Sequence, residues 1–283
     1  MQIVRDVETL REKIAALRAD GGTIAFVPTM GALHAGHMAL VAEAKRRASH
    51  VVASIFVNPT QFGPGEDLST YPRREASDAA MLEAEGVAIL WSPDVATMYP
   101  DGARATMRAG SAAGGLDGAA RPGHFDGVVT VVARLFDQVA PDVALFGEKD
   151  YQQLAVIRQM VGELRLSIEI VGVPTQRDAD GVALSSRNAY LSEDERLAAR
   201  NLPRALGEAA QSIMAGSDVS GALAAVKERL TKAGFEPVDY VELRDAETLA
   251  PLAALDRPAR LLAAARIGRT RLIDNLQVAP PKA

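Results

Sequence analysis

Short apolar runs alternate with longer stretches of helical period over the first two thirds of the chain. The runs at 23–27, 51–57, 87–90, 143–146 and 167–171 are largely apolar and read as strands. Between several of them, 36–48, 75–85, 127–139 and 151–164 place apolar residues at helical spacing. Strands without a regular polar face, separated by helices, predict a parallel sheet covered on both sides. Ligands of such sheets bind outside the carboxyl ends of the strands.

The tail has a different rhythm. Ser192 followed by Glu195 is a capping-box pattern that opens a helix running through Leu197 and Leu206, which Pro203 is expected to kink or divide. A second helix at about 219–233 ends at Gly234, a residue suited to a C-terminal cap. Strands are then expected at 238–243, 260–266 and 271–276. These elements predict a smaller α+β unit, with a boundary within 174–191.

Composition narrows the function classes. A chain of 283 residues can build one large domain or two modest ones. With 31 basic against 36 acidic residues, a net charge of −5 and no long block of like charge, it does not resemble a nucleic-acid binder. The absence of cysteine excludes disulfides, thiolate metal sites and a cysteine nucleophile. The first residues, Met1-Gln2-Ile3-Val4-Arg5-Asp6, lack the apolar core of a secretory signal. Charges interrupt every apolar stretch before membrane-spanning length, so a cytoplasmic protein without membrane partners is expected.

The candidate chemistry lies where strands end. After the first run comes Pro28-Thr29-Met30-Gly31-Ala32-Leu33-His34-Ala35-Gly36-His37, a glycine-containing turn leading into a helix. Two of the four histidines sit in this turn, three residues apart. A helix N-terminus beside a close-approaching glycine backbone suits phosphate, and two imidazoles there can hydrogen-bond its oxygens. The turn is therefore read as a nucleotide-phosphate site. A zinc ion shared by His34 and His37 ranks well below it, since no familiar ligand set is completed nearby.

Four further clusters follow the same placement. Asn58-Pro59-Thr60-Gln61-Phe62 offers amides for hydroxyl or carboxylate groups, although for this cluster alone an ordinary polar turn is the favoured reading. Gly147-Glu148-Lys149-Asp150 opens a helix with a cation for phosphate, and Gln153 falls on its first turn. Leu184-Ser185-Ser186-Arg187-Asn188 brings two hydroxyls beside a guanidinium, in a long loop. Arg121-Pro122-Gly123-His124-Phe125 sets another arginine and histidine at a helix start. Asp78 can assist magnesium, although an exposed helix face is the expected role. His50, outside these motifs, is expected to be structural or exposed. No glycine-flanked serine elbow supports a Ser-His-Asp hydrolase.

Taken together and in this order, the five motifs resemble the pantoate–β-alanine ligases, an ATP-dependent, AMP-forming family, over nearly the whole chain. The His-x-Gly-His element alone marks only the wider nucleotidyltransferase and class I aminoacyl-tRNA synthetase group; the five together are specific. The resemblance implies a Rossmann-like parallel α/β domain over 1–186 that holds ATP and pantoate. It also implies a smaller α+β domain over 187–283 acting as a movable cover, and a homodimer. The implied reaction has two steps. Pantoate attacks the α-phosphate of Mg·ATP to give pantoyl adenylate and pyrophosphate, and the amine of β-alanine then displaces AMP.

By the family pattern His34 and His37 contact phosphates, while Lys149, Ser185, Ser186 and Arg187 stabilise the α-phosphate and departing pyrophosphate. Met30, Gly31, Ala32, Leu33, Ala35, Gly36, Gly147, Glu148, Asp150 and Leu184 line the nucleotide pocket, with Gln176 beside adenine through its backbone. Gln61 and Gln153, with Pro28, Met30 and Asn58, form the acid-binding set. A nucleotidyltransferase acting on a phosphorylated alcohol would share the histidines without needing the paired glutamines, and a non-catalytic nucleotide binder would not need Lys149 or Arg187.

Overall fold

The computed structural model describes residues 1–280, which divide into two compact units. The first comprises Met1–Glu148 and Val156–Pro174; the second comprises Lys149–Ala155 and the chain from Thr175 onward. The division at Pro174 and Thr175 comes earlier than the 186/187 boundary expected from the sequence. The second unit also takes a short segment, Lys149–Ala155, out of the middle of the first.

In the first unit, six parallel strands lie in the order β1-β4-β3-β2-β5-β6. They are β1 (Gln2–Val4), β2 (Ile24–Thr29), β3 (His50–Ile55), β4 (Ile89–Trp91), β5 (Val143–Gly147) and β6 (Glu169–Val173). The five expected strands are all present, each displaced by one or two residues at an end. β1 gave no pattern of its own, being three residues long with only Val4 buried. The helices between strands are α1 (Val7–Arg18), α2 (Ala35–Arg47), α3 (Glu75–Ala84), the short α4 (Val95–Met98) and α5 (Leu116–Ala120), α6 (His124–Val139) and α7 (Tyr151–Glu163).

Alternation along the strands feeds two cores. Ala25, Val27, Val51, Ala53, Val143 and Leu145 point to one face, where Leu40, Val41 and Ala44 of α2 and Leu82 of α3 meet them. Phe26 points to the other and meets Phe136 of α6 edge-on, with ring centroids 6.4 Å apart. Such pairs add about 0.5–1.5 kcal/mol beyond area burial. Trp91 is fully buried because its indole N–H finds the side-chain oxygen of Gln138 at 3.1 Å. β2 adds β3 on one side and β5 on the other. The strand order therefore reverses at β2, and the carboxyl ends of β2 and β5 are where a ligand crevice opens.

The second unit has an antiparallel sheet, β7 (Phe235–Asp245), β8 (Ala259–Ile267) and β9 (Thr270–Val278). Helices α8 (Glu193–Ala199), α9 (Asn201–Met214) and α10 (Val219–Lys232) accompany it. Leu206 and Ile213 of α9 and Val226 and Leu230 of α10 pack with Leu261, Ala263 and Ala265 of β8. Ser192 and Glu195 form the expected capping box. The break between α8 and α9 falls at Arg200, not at Pro203. Proline then occupies the third position of α9, where its missing N–H has no partner to lose.

Candidate functional site

The histidine turn is held by backbone chemistry that its own sequence does not display. Gly31 and Ala32 both take positive φ, +80° and +51°. Gly31 cannot be enlarged freely, since a Cβ there would lie 3.1 Å from Asp78 Oδ2 and from Ile55 Cγ2. The following N–H groups point at one carboxylate: Ala32 N–H donates to Asp78 Oδ2 at 2.8 Å and Leu33 N–H to Oδ1 at 2.9 Å. These charge-assisted bonds offset the cost of a left-handed alanine. Asp78 is only 2% exposed, so the expectation of an exposed helix face is overturned. Both of its oxygens serve the turn.

His34 and His37 form an unusual capping box at the start of α2. Gly36 N–H donates to His34 Nδ1 at 3.1 Å, and His34 N–H donates to His37 Nδ1 at 3.2 Å. A ring nitrogen that accepts carries no proton, so each neutral ring bears its hydrogen on Nε2. The rings lie 4.2 Å apart between centroids. The three-residue spacing thus satisfies two orphan helix N–H groups while turning both imidazoles into Nε2–H donors.

Gln61 is built into a second, denser network of the first unit. Asn58 is 1% exposed, and its amide donates to Gln61 Oε1 at 3.0 Å and to the Gly127 carbonyl at 3.2 Å. Asn58 Oδ1 accepts from Tyr99 Oη at 2.7 Å, Thr60 N–H at 3.2 Å and Thr60 Oγ1 at 3.0 Å. Asn58 therefore orients Gln61 with one amide contact and ties it to α6 through Gly127 with the other. Gln61 Nε2 donates to Met30 Sδ at 3.0 Å. Gly127 allows this approach, for a Cβ there would lie 2.3 Å from the Thr60 carbonyl oxygen.

Arg121 and His124 support the same residue from its backbone. Arg121 pairs with Glu66 through two bonds of 2.7 Å, and its Nη1 donates to His124 Nε2 at 2.9 Å. A guanidinium only donates, so Nε2 accepts and Nδ1 carries the proton, which is given to the Gln61 carbonyl at 2.8 Å. Burial, then the neighbouring Arg121 charge, lowers the His124 pKa to about 4. Burial pushes the Glu66 carboxyl up, but the hydrogen bonds and charge of Arg121 outweigh it and leave it at about 2. Glu66 and Tyr99 were not anticipated. Glu66 lies in a glycine-rich loop without periodicity, and nothing local to it signals a partner 55 residues away.

The remaining candidates belong to the second unit. Lys149 lies in the 3-10 turn Glu148–Asp150, directly after β5, with its ammonium 3.9 Å from Asp150 Oδ2. Gln153 follows in the first turn of α7. Ser185 caps the 3-10 turn Ser186–Tyr190, its hydroxyl accepting from Arg187 N–H at 3.3 Å. Asn188 Nδ2 ties this turn to the Ala183 carbonyl at 3.0 Å. The Gln176 carbonyl accepts from Leu184 N–H at 2.9 Å, so Gln176 and Leu184 meet through backbone. Two further residues lie back in the first unit. Pro28 sits within β2, paired in register with Ser54. His50 opens β3 and is partly buried, against Gly22, whose added Cβ would lie 2.9 Å from its ring.

Comparison with known proteins bears on this chemistry directly. The pantoate-beta-alanine ligase family model matches residues 2–277. A pantothenate synthetase of Rhizorhabdus wittichii is 64% identical over 280 residues, covering 99% of each chain. The crystal structure of the pantothenate synthetase from Thermus thermophilus superposes with a TM-score of 0.92 at 48% identity, covering 99% of this chain and 100% of that one. A pantoate-beta-alanine ligase from Francisella tularensis, complexed with beta-gamma ATP and beta-alanine, gives a TM-score of 0.81 at 34% identity. It covers 98% of this chain and 97% of that one. With the capped histidine pair, the anchored Gln61 and the matching fold in place, this chain belongs to the pantoate–β-alanine ligase family.

Proposed function

We propose that the residues just described carry out the family's reaction, the ATP-dependent joining of pantoate and β-alanine, in the following roles. His34 and His37 donate their Nε2–H groups to ATP phosphates. Lys149, Ser185, Ser186 and Arg187 neutralise charge on the α-phosphate and on the departing pyrophosphate. Gln61 and Gln153 hold the hydroxyls and carboxylate of pantoate, and Asn58, Arg121 and His124 hold Gln61. The observation carrying this reading is the Nδ1 capping of both histidines, which presets two hydrogen-bond donors at a helix N-terminus.

In the first step a pantoate carboxylate oxygen forms a bond to the α-phosphorus. The bond from that phosphorus to the bridging oxygen breaks, and pyrophosphate leaves. In the second step the β-alanine nitrogen attacks the acyl carbon, the bond to the AMP oxygen breaks, and the amine loses a proton. No protein nucleophile is required, in keeping with a chain that has no cysteine. The demand on the protein is alignment and stabilisation of developing charge, for which one preorganised contact is worth roughly 3 kcal/mol.

Magnesium would arrive bound to the nucleotide. Among the described residues no three His, Asp or Glu side chains gather to hold a metal ion. Asp78 holds the turn through both of its carboxylate oxygens. A homodimer and a cytoplasmic setting complete the proposal. Among the described residues no helix is long and apolar enough to cross a membrane. Sedimentation equilibrium tests the dimer.

The test of function is turnover of Mg·ATP and pantoate with and without β-alanine, following pyrophosphate, AMP and pantothenate separately. Pantoate-dependent pyrophosphate release is expected first, then AMP and pantothenate once β-alanine is added. ATP binding without pantoate-dependent pyrophosphate would point to another acceptor.

A further inference from the structure

Lys149 follows a strand of the first unit, yet the contacts that hold its backbone belong to the second. Asn275 of β9, 3% exposed, donates from Nδ2 to the Lys149 carbonyl at 3.0 Å, across 126 residues of sequence. Asn275 is itself fixed at three atoms. Its Oδ1 accepts from Arg260 Nη1 at 3.1 Å, its N–H donates to Asp274 Oδ1 at 2.7 Å, and its carbonyl accepts from Arg177 Nη2 at 3.3 Å. Asp274 is 2% exposed, and Arg177 clasps it with two bonds of 2.8 Å.

The same arginine that orients Asn275 through its side chain reaches the helix turn after Lys149. The guanidinium carbon of Arg260 lies 4.1 Å from the ring centroid of Tyr151, and Tyr151 Oη donates to the Ala246 carbonyl at 2.6 Å. Lys149 is thus pinned at its own carbonyl, and its neighbour Tyr151 at ring and hydroxyl. A flexible lysine stem places its ammonium only as well as its Cα is placed. A contact to a phosphoryl transition state loses much of its value when the donor is displaced by about 1 Å.

We propose that Asn275 is a positioning residue for Lys149: through the Lys149 carbonyl, and with the Arg260–Tyr151 stack, it sets where the lysine ammonium stands during adenylation. This rests on the proposed role of Lys149. Asn275 touches no reacting atom; its effect passes through the lysine.

The experiment is a double-mutant cycle on the full chain, reading pyrophosphate release from labelled ATP, sensitive enough for slow turnover, with melting temperatures measured alongside. Asn275→Ala is expected to lower kcat by about tenfold, the value of one hydrogen bond's worth of placement, while KM for ATP changes less than about twofold. Lys149→Ala lowers kcat further, by roughly 100-fold. In the Lys149→Ala background, Asn275→Ala is expected to cost almost nothing more, because the group it positions is gone.

Multiplying losses in the double variant would make Asn275 merely structural and overturn the proposal while leaving the role of Lys149 intact. Near-normal turnover of folded Asn275→Ala would overturn it too. Near-normal turnover of Lys149→Ala would remove the lysine from the mechanism and the proposal with it. If Asn275→Ala does not fold, Asn275→Asp, which keeps an acceptor for Arg260 Nη1 and removes only the Nδ2 donor to the Lys149 carbonyl, carries the same cycle with the same two outcomes.

Discussion

Replacing Asp78 by asparagine separates a turn anchor from a metal ligand with a single atom exchanged. In the native chain each carboxylate oxygen accepts one backbone N–H, from Ala32 at 2.8 Å and Leu33 at 2.9 Å. Hydrogen bonds to a charged acceptor contribute about 1.5–3 kcal/mol each. Asparagine keeps one of them, weakened to a neutral bond, and turns an NH2 group toward the other N–H in a site that is 2% exposed. The net loss is about 2–4 kcal/mol, a drop of roughly 5–15 °C in the melting temperature of a unit of this size. The turn that loosens carries His34 and His37, so ATP affinity falls in parallel. Calorimetric melting and ATP titration over a range of magnesium concentrations read both effects. An unchanged melting temperature with a raised magnesium requirement would refute the anchoring argument and return Asp78 to the metal.

Gln61→Ala should weaken pantoate binding about tenfold and spare ATP binding in calorimetry; equal losses for both ligands would mean a collapsed pocket. Gly127→Ala sits inside α6, where helix propensity alone favours alanine by up to about 1 kcal/mol. The added Cβ would lie 2.3 Å from the Thr60 carbonyl, so a loss of roughly 1–3 kcal/mol and a raised KM for pantoate are expected instead; a more stable, fully active variant would refute this contact. His124 stays neutral in the folded protein down to about pH 4, against an ordinary value of 6.5. The unfolded chain binds that proton first, so stability present above pH 6.5 is lost as pH falls from 6.5 toward 4, by up to about 3 kcal/mol. The Glu66 contribution is lost only below its ordinary value of 4.5, so between pH 6.5 and 4.5 the His124→Gln variant should show a shallower decline. Parallel curves for the two proteins would remove His124 as the cause.

The elements were legible because their signals are local. Continuous apolar runs become strands and helical spacing becomes α2, α3, α6 and α7, since each residue's burial follows from its neighbours a few positions away. The capping box at Ser192 is equally local. α1 is the counterexample: only Leu10 and Ile14 of its twelve residues are buried, too narrow a stripe to stand out. The histidine turn was legible for the same reason, although its sequence did not disclose that the two rings cap the helix.

By itself, the sequence determined the order of elements, the five motifs and, through their joint resemblance, the family. Only the tertiary structure decided who holds those motifs in place. Asp78 meets Ala32 across 46 residues, Arg121 meets Glu66 across 55 and Asn275 meets Lys149 across 126. Periodicity can say that a polar residue lies on a helix or strand. It cannot say that a buried N–H or carbonyl from a distant segment awaits it there. Such groups must be paired once water is excluded, and the fold alone determines which ones come within reach.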